Sequence, residues 1–213
     1  MPGSGAFFDG IYRGNERYYG HEVRPEFAAF VRGLPRPRPR CLDLGAGQGR
    51  HALFAAAEGA RVHAVDYSVV AAAQLRETAE RARLPITVEA GDATRIALPA
   101  NAFDAAFLVS FLSHLERPAI PPMIGRVLAA LAPGGRAFVE AFTVDDPGFR
   151  AAPDASETAG ALRHYMEAGE LRTLFSDYAI LEYREFVEDD LTHGPAHRHG
   201  VALLVAAKPA SAV

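Results

Sequence analysis

The chain has 213 residues, of which 49% are hydrophobic and 23% charged, and its 26 acidic and 22 basic residues give a net charge of −4 at pH 7. This length and composition fit one globular domain and exclude disordered and collagen-like proteins. Scattered basic residues do not make the clustered positive face of a nucleic-acid binder. No stretch approaches the roughly 18 apolar residues of a membrane span. We therefore expect neither a nucleic acid nor a membrane as partner.

The single cysteine, Cys41, indicates the compartment in which the chain works. One cysteine forms neither an internal disulfide nor a cysteine-based metal site. Its place at the start of a strand, without a basic neighbour, favours an inert buried thiol over a nucleophile. Residues 1–19 lack the basic opening and the continuous apolar stretch of a signal peptide. These features predict a protein of the reducing cytoplasm.

Hydrophobic spacing, together with stop signals at glycine and proline, defines the predicted elements in chain order. Gly59 ends one helix and Pro85 bars the continuation of the next. Helices are predicted at residues 25–33, 50–58, 69–84, 121–131 and 169–175, and strands at residues 41–44, 61–65, 86–89, 103–110, 136–142, 180–187 and 201–207. The basic residues 36–40, which alternate with prolines, favour a stiff connector, with an electrostatic contact as the alternative.

The order of these elements predicts the architecture. Strands that alternate with helices form a parallel sheet covered on both faces. The last two strands are joined by a short connection rich in histidine, glycine and proline, which favours antiparallel pairing. Residues 145–156 contain prolines and the acids Asp145, Asp146 and Asp154, with Glu157 just beyond them, and predict a mobile surface loop.

A glycine-rich turn, residues 42–49, leaves the first predicted strand and enters a helix. Glycines let the backbone bend sharply and let a ligand lie against main-chain amides. Asp66 ends the next strand 21 residues after Gly45, close to the roughly 20 residues expected of a carboxylate that holds a ribose diol. The pattern predicts a nucleoside-containing cofactor, with a tight turn beside a charged strand end as the alternative.

Two residues in this turn indicate which cofactor is bound. A dinucleotide fingerprint requires a third small residue for close helix packing, and Arg50 stands in that place. Asp43 lies just before the turn and would repel a pyrophosphate. It suits instead a cofactor with an ammonium group and a cationic sulfur. S-adenosylmethionine has both properties.

The chain resembles the class I S-adenosylmethionine-dependent methyltransferases over residues 40–142. The motifs that carry the resemblance are residues 42–49, Val65-Asp66, Gly91-Asp92-Ala93, Phe103-Asp104 and residues 131–135. The resemblance implies an α/β, Rossmann-like, doubly wound fold in three α/β/α layers. Its seven-stranded, mostly parallel sheet ends in a C-terminal antiparallel hairpin, and the number of predicted strands agrees.

The resemblance also implies roles for individual residues. Asp43, Gly45 and Gly47 match the part of the family pattern that holds the methionyl group of S-adenosylmethionine. Asp66 matches the acid that binds both ribose hydroxyls, and Asp92 matches the acid that meets the adenine amino group. The implied cofactor-binding set is Tyr19, Asp43, Gly45, Ala46, Gly47, Asp66, Tyr67, Asp92, Ala93 and Ser110.

A looser resemblance, through Tyr18-Tyr19-Gly20 and the segments 170–172 and 181–185, is to the tellurite-resistance and thiopurine methyltransferases. It implies a small-molecule acceptor, namely a thiol, an amine, a hydroxyl or a metalloid oxyanion. We expect one domain over residues 1–213, monomeric or weakly dimeric. Residues 1–35 would form a helical lid segment, residues 40–142 the cofactor-binding core, and residues 143–213 the substrate-side loop and last strands.

Histidines are the candidate residues for the acceptor. His114 follows the fourth strand and is predicted as a general base, with pocket lining as the alternative. The connection between the last two strands holds His193, His197 and His199, which are predicted to bind substrate. One alternative is that they are solvated turn residues. Another is a transition-metal site, since three imidazoles lie in seven residues, but we predict no metal here.

The amino-terminal segment adds a last candidate. Tyr12 is predicted to contact substrate, and glycines at positions 10, 14 and 20 provide hinges for a lid over the cofactor, with simple packing on the sheet as the alternative.

The exit of the fourth strand, residues 110–114, lacks the Asn/Asp-Pro-Pro-aromatic motif of methyltransferases that act on planar amino groups. Two other functions stay open, a noncatalytic S-adenosylmethionine-binding regulator and an NAD-dependent dehydrogenase.

Overall fold

A computed structural model of the chain describes residues 4–152, 155–156 and 158–210. The helices are α1 (Ser4–Tyr12), α2 (Pro25–Arg32), α3 (Arg50–Ala57), α4 (Val69–Ala82), α5 (Ile120–Ala130) and α6 (Glu170–Leu174), and the strands are β1 (Arg40–Leu44), β2 (Arg61–Asp66), β3 (Ile86–Ala90), β4 (Phe103–Val109), β5 (Leu131–Phe142), β6 (Ala179–Asp190) and β7 (His197–Ala207). Within these described residues, no helix is both long and apolar enough to cross a lipid bilayer.

The strands form one seven-stranded sheet in the order β3-β2-β1-β4-β5-β7-β6. The pairs among β1 to β5 are parallel, whereas β7 runs antiparallel to both β5 and β6. This sheet confirms the predicted doubly wound fold and its antiparallel hairpin. The chain reverses its crossover direction between β1 and β4, and this switch point is where ligands bind in open α/β sheets.

The sheet is buried on both faces because alternate residues of its central strands point to opposite sides. Ala106 and Leu108 of β4 join a cluster with α5 and α6, whereas Phe107 joins a second cluster with α2 and α3. In the second cluster Phe27 packs edge-on against Phe107 and Phe138, with ring centroids 4.9 and 5.2 Å apart. Helices therefore cover both faces, as the alternation of elements predicts.

Several element ends differ from the predicted ones. β5 begins at Leu131 rather than at residue 136, and the glycines at 134 and 135 lie in a bulge within the strand, between the pairs Phe103↔Leu131 and Ala105↔Arg136. β6 and β7 are also longer than predicted, reaching Asp190 and starting at His197. Pairing with a neighbouring strand, which no local signal encodes, extends these elements.

The predicted mobile loop at residues 145–156 is corrected by the structure. Asp146 is only 2% exposed, and its carboxylate accepts hydrogen bonds from the amides of Gly148 (2.7 Å) and Gly200 (3.2 Å). A short 3-10 helix, Pro147–Arg150, follows. Asp154 and Glu157, which belong to the same prediction, lie outside the described residues. The start of this segment is thus fixed in the core by one buried acid.

Candidate functional site

A cavity of about 740 Å³ opens at the carboxyl ends of the central strands, beneath the amino-terminal segment. Its volume falls within the roughly 300–1,000 Å³ of small-molecule sites. Its walls include nearly every predicted site residue: Tyr12, Tyr19, Gly45, Ala46, Gly47, Asp66, Tyr67, Asp92, Ala93, Ser110, His114, His193 and His199. The described lining residues do not include Asp43 or His197.

The glycine turn between β1 and α3 forms the floor of this cavity. Gly45, Gly47 and Gly49 all have positive φ, at 72°, 55° and 88°. A Cβ atom on Gly45 would lie 3.0 Å from the Phe111 ring, and one on Gly47 would lie 3.1 Å from the Tyr12 hydroxyl. The turn therefore requires glycine for its conformation and for its close neighbours, and it exposes main chain to the cavity.

Asp66 lies at the end of β2, directly beside the glycine turn. One carboxylate oxygen accepts the amide of Gly47 at 2.7 Å, and the other accepts the amide of Ser68 at 2.8 Å. Burial raises the pKa of this carboxyl, and these two backbone hydrogen bonds partly offset that rise. The carboxylate is thus held rigidly in the cavity wall, with a second lone pair left on each oxygen.

Asp92 and Ser110 complete the wall on either side of Asp66. Asp92 Oδ1 accepts the amide and the hydroxyl of Thr94, at 2.9 and 2.6 Å. Burial raises the Asp92 pKa, but these bonds and nearby Arg95 outweigh it, so the net pKa is lowered. Ser110 has a φ of 58°, a strained conformation for a residue with a side chain, at the exit of β4 where the cavity opens.

Asp43 lies below the cavity rather than in its wall. It is 2% exposed, and burial, with the nearby Asp66 charge, raises its pKa to about 7, against a hydrogen bond from the Ala52 amide. Its Oδ2 atom has no hydrogen-bond partner among the described residues. Asp43 is absent from the described lining of the cavity, and its contact with the cofactor stays a prediction. Cys41 is fully buried, as predicted for an inert thiol.

The amino-terminal segment covers the cavity. Phe8 and Tyr12 of α1 line it, and Tyr12 is 4% exposed. Asp9 holds α1 against the start of α4, because its carboxylate accepts hydrogen bonds from the Ser68 hydroxyl and the Val70 amide. These contacts support the prediction of a lid over the cofactor.

His114 lines the same cavity under α1. Its ring meets Phe8 edge-on at 5.2 Å, and its Nδ1 atom lies 3.4 Å from the Ala161 carbonyl oxygen. Burial lowers its pKa to about 4, so the ring is neutral at pH 7. Because a carbonyl only accepts, Nδ1 carries the proton and Nε2 presents a lone pair.

The three late histidines occupy a different place from the predicted one. Only His193 lies on the connection, whereas His197 and His199 belong to β7. All three are 7–8% exposed, so the alternative of solvated turn residues is wrong. The rings of His197 and His199 lie 4.7 Å apart, and His193 packs against Tyr19 at the same centroid distance.

Several charged residues that line the cavity were not predicted from the sequence. Arg24 Nε lies 2.7 Å from Glu140 Oε2, and the same guanidinium reaches Glu188. Arg50, considered only as a departure from the dinucleotide pattern, donates to the Tyr19 carbonyl oxygen at 3.0 Å. Glu140 was detectable in principle, because an acid inside the apolar run of β5 needs a partner.

Comparison with known proteins finds a family that matches part of this chain. Residues 41–135 match the family model described as a methyltransferase domain. This part of the chain is similar to a methyltransferase domain. It contains the glycine turn, Asp66 and Asp92 described above. The resemblance to class I S-adenosylmethionine-dependent methyltransferases is thereby confirmed.

Individual curated proteins are similar to a longer part of the chain. The chain is 31% identical over 153 residues to Hemagglutinin 1 of Eikenella corrodens, covering 70% of this chain and 46% of that protein. It is 34% identical over 108 residues to a demethylmenaquinone methyltransferase of Beutenbergia cavernae, covering 51% and 42%. The chain thus spans less than half the length of these relatives.

Among solved structures, TehB from Haemophilus influenzae superposes on the chain with a TM-score of 0.74 and 21% identity, covering 96% of this chain and 67% of that one. This likeness confirms the fold, including the antiparallel end of the sheet.

Proposed function

We propose that the chain binds S-adenosylmethionine in this cavity and transfers its methyl group to a small-molecule acceptor. The observation that carries the proposal is Asp66, whose two oxygens are fixed by the amides of Gly47 and Ser68 beside the glycine turn. A rigid carboxylate with free lone pairs is suited to accept hydrogen bonds from both hydroxyls of a ribose.

The residues around Asp66 fit the rest of that cofactor. Gly45 and Gly47 line the cavity with main chain, so a ligand can lie directly against the backbone of the turn. Asp92, whose Oδ1 is held by Thr94, supports the assigned contact with an adenine amino group. The lowered pKa of Asp92 keeps it ionised, and thus an acceptor, near neutral pH.

When bound, S-adenosylmethionine supplies a methyl carbon already activated by its sulfonium, so the protein needs chiefly to align the acceptor and exclude water. Phe8 and Tyr12 of α1 support the exclusion of water, since they cover the cavity. His114 presents an unprotonated Nε2, but its pKa of about 4 makes it a weak base. As the predicted base, it suits an acceptor that loses its proton readily, such as a thiol or an acidic hydroxyl.

We assign the acceptor to the part of the wall with Tyr12, His193 and His199, the predicted substrate-binding residues that line the cavity. We retain small thiols, amines, hydroxyls and metalloid oxyanions as the acceptor classes to test. The single cysteine and the net charge also lead us to propose a cytoplasmic protein, monomeric or weakly dimeric, that binds neither nucleic acid nor membrane.

Calorimetric titration with S-adenosylmethionine, S-adenosylhomocysteine and NADH in parallel tests the proposal. We expect one equivalent of each sulfur nucleoside to bind and NADH not to bind. Binding of NADH alone would contradict the proposal and favour the dehydrogenase. If the sulfur nucleosides bind, transfer of a labelled methyl group to a panel of thiols, amines, hydroxyls and oxyanions separates an enzyme from a noncatalytic regulator.

A further inference from the structure

Four metal-ligating side chains meet at the histidine end of the cavity. They are Asp190 at the end of β6, His193 on the connection, and His197 and His199 of β7. One ligand atom from each residue lies within 4.8 Å of all the others. The three imidazoles are almost fully buried, so this is a built cluster and not a set of surface residues.

The distances within the cluster suit a single ion. His197 Nε2 and His199 Nε2 are 3.0 Å apart, and Asp190 Oδ2 lies 3.4 Å from His193 Nδ1 and 3.7 Å from His199 Nε2. Four donors placed tetrahedrally at metal–nitrogen distances near 2.0–2.1 Å would be separated by about 3.3 Å. Small adjustments of side chains therefore close the cluster around a cation.

Partners outside the cluster turn the donor atoms inward. His197 Nδ1 lies 2.8 Å from the Pro195 carbonyl oxygen, and His199 Nδ1 lies 2.9 Å from Asp146 Oδ2. Each imidazole thus donates its Nδ1 proton outward, as metal-bound histidines commonly do. Asp190 is oriented likewise, because its Oδ1 accepts the amide and hydroxyl of Thr192, at 2.6 and 2.7 Å, and leaves Oδ2 for the cluster.

These hydrogen bonds leave two acceptor nitrogens facing each other, and a cation between them would remove the repulsion. With Nδ1 protonated on both rings, the facing Nε2 atoms of neutral His197 and His199 are both acceptors, only 3.0 Å apart. Either a proton shared between them or a metal ion must lie there. The two carboxylates next to the imidazoles, Asp146 and Asp190, favour a cation at this place.

We propose that Asp190, His193, His197 and His199 bind one divalent transition-metal ion. Three imidazoles and one carboxylate suit zinc, iron, cobalt or nickel rather than magnesium or calcium, which prefer oxygen ligands. Since His193 and His199 also line the cavity, the ion would lie in the part of its wall that these two histidines form. It would also tie the hairpin of β6 and β7 to the segment after β5, through Asp146.

Titration of EDTA-treated, dialysed protein with zinc chloride tests the site. We expect one equivalent to bind in the wild type, and Co²⁺ to give the strong visible absorption of a low-symmetry, four-coordinate site. H197Q removes one ligand, and D190N keeps the size of the side chain and its Thr192 hydrogen bonds. Each should weaken zinc binding on the order of 100-fold, whereas H21Q, at an exposed histidine, should leave it unchanged.

Circular dichroism establishes that each variant is folded. D146N provides a milder variant, because it leaves the four ligands in place and changes the oxygen that meets His199 Nδ1 and the Gly200 amide. It should weaken zinc binding about 10-fold. Absence of stoichiometric zinc binding in the wild type, or equal affinity in folded D190N and H21Q, would overturn the proposal and leave a shared proton between His197 and His199. Titration with S-adenosylmethionine in EDTA tests the proposed function separately, because it requires no metal.

Discussion

The two ends of the cavity differ in whether backbone or side chains form their surface. At the glycine end, around residues 45–49 and Asp66, the surface is mostly backbone, and the contacts join residues close in the chain or on neighbouring strands. At the histidine end, around Asp146, Asp190 and the three late histidines, it is made of side chains, and Asp146 and His199 are 53 residues apart. The first end therefore depends little on the identity of side chains, whereas the second depends on it directly.

The largest effect we expect is at the glycine end. Gly49 has a φ of 88°, and a Cβ there would overlap the side chain of Leu75. Gly49→Ala should therefore lower the free energy of unfolding by about 2–4 kcal/mol, measured by urea denaturation. Gly125→Ala is the matched control, because Gly125 is exposed within α5 with nothing near its Cβ position. Gly125→Ala should stabilise the protein by about 0.5–1 kcal/mol. An equal loss of unfolding free energy in the two variants would contradict the strain assigned to Gly49.

The next prediction concerns pH and the middle of the cavity. Burial lowers the pKa of folded His114 to about 4, below the 6.5 of an exposed histidine. The unfolded chain therefore binds more protons between these values, and stability falls as the pH drops from 6.5 to 4. The wild type should therefore lose about 2 kcal/mol more unfolding free energy than His114→Gln when the pH is lowered from 6.5 to 4. Urea denaturation at both pH values measures this difference. His21→Gln, at an exposed position, should keep the wild-type slope.

A third prediction tests the carboxylate that anchors the glycine end. Asp66→Ala removes the acceptor of the Gly47 and Ser68 amides and of the proposed ribose hydroxyls. We expect S-adenosylmethionine affinity to fall on the order of 10-fold or more, measured by calorimetry. Glu77→Ala, at an exposed position of α4, is the control. Unchanged affinity in a folded Asp66 variant would remove that residue from the site.

The smallest expected effect concerns the lid. Asp9 holds α1 against the first turn of α4 through Ser68 and Val70. Asp9→Ala should raise the dissociation rate of S-adenosylmethionine about 3–5-fold, as for the loss of one hydrogen bond. Stopped-flow displacement measures this rate. A dissociation rate equal to that of wild type would mean that α1 packs on the sheet without acting as a lid.

The two ends also differ in how well the sequence predicts them. The glycine turn, Asp66 and Asp92 follow consecutive strands, so local order suffices to place them at one edge of the sheet. The sequence likewise predicts the sheet itself, because alternation of strands and helices is a local pattern. Asp43 shows the limit of that reasoning, since local order does not predict that its side chain is 2% exposed and outside the described lining of the cavity.

The histidine end could not be predicted in the same way. Asp146 is buried because β7 pairs with β5 and brings the Gly200 amide to its carboxylate. Asp190 reaches the cluster because β6 extends three residues beyond its predicted end, by pairing with β7. These contacts depend on strand register between distant segments, which the composition of neither segment reveals.

The reversed direction of β7 has a consequence for how such a protein diversifies. In parallel strands only the last residues reach the ligand-binding edge, but an antiparallel strand brings its first residues there. His197 and His199, two apart on one face, open β7 at that edge, and only the six residues 191–196 separate them from β6. A change in this hairpin can therefore alter the histidine end of the cavity while the glycine turn and Asp66 stay as they are.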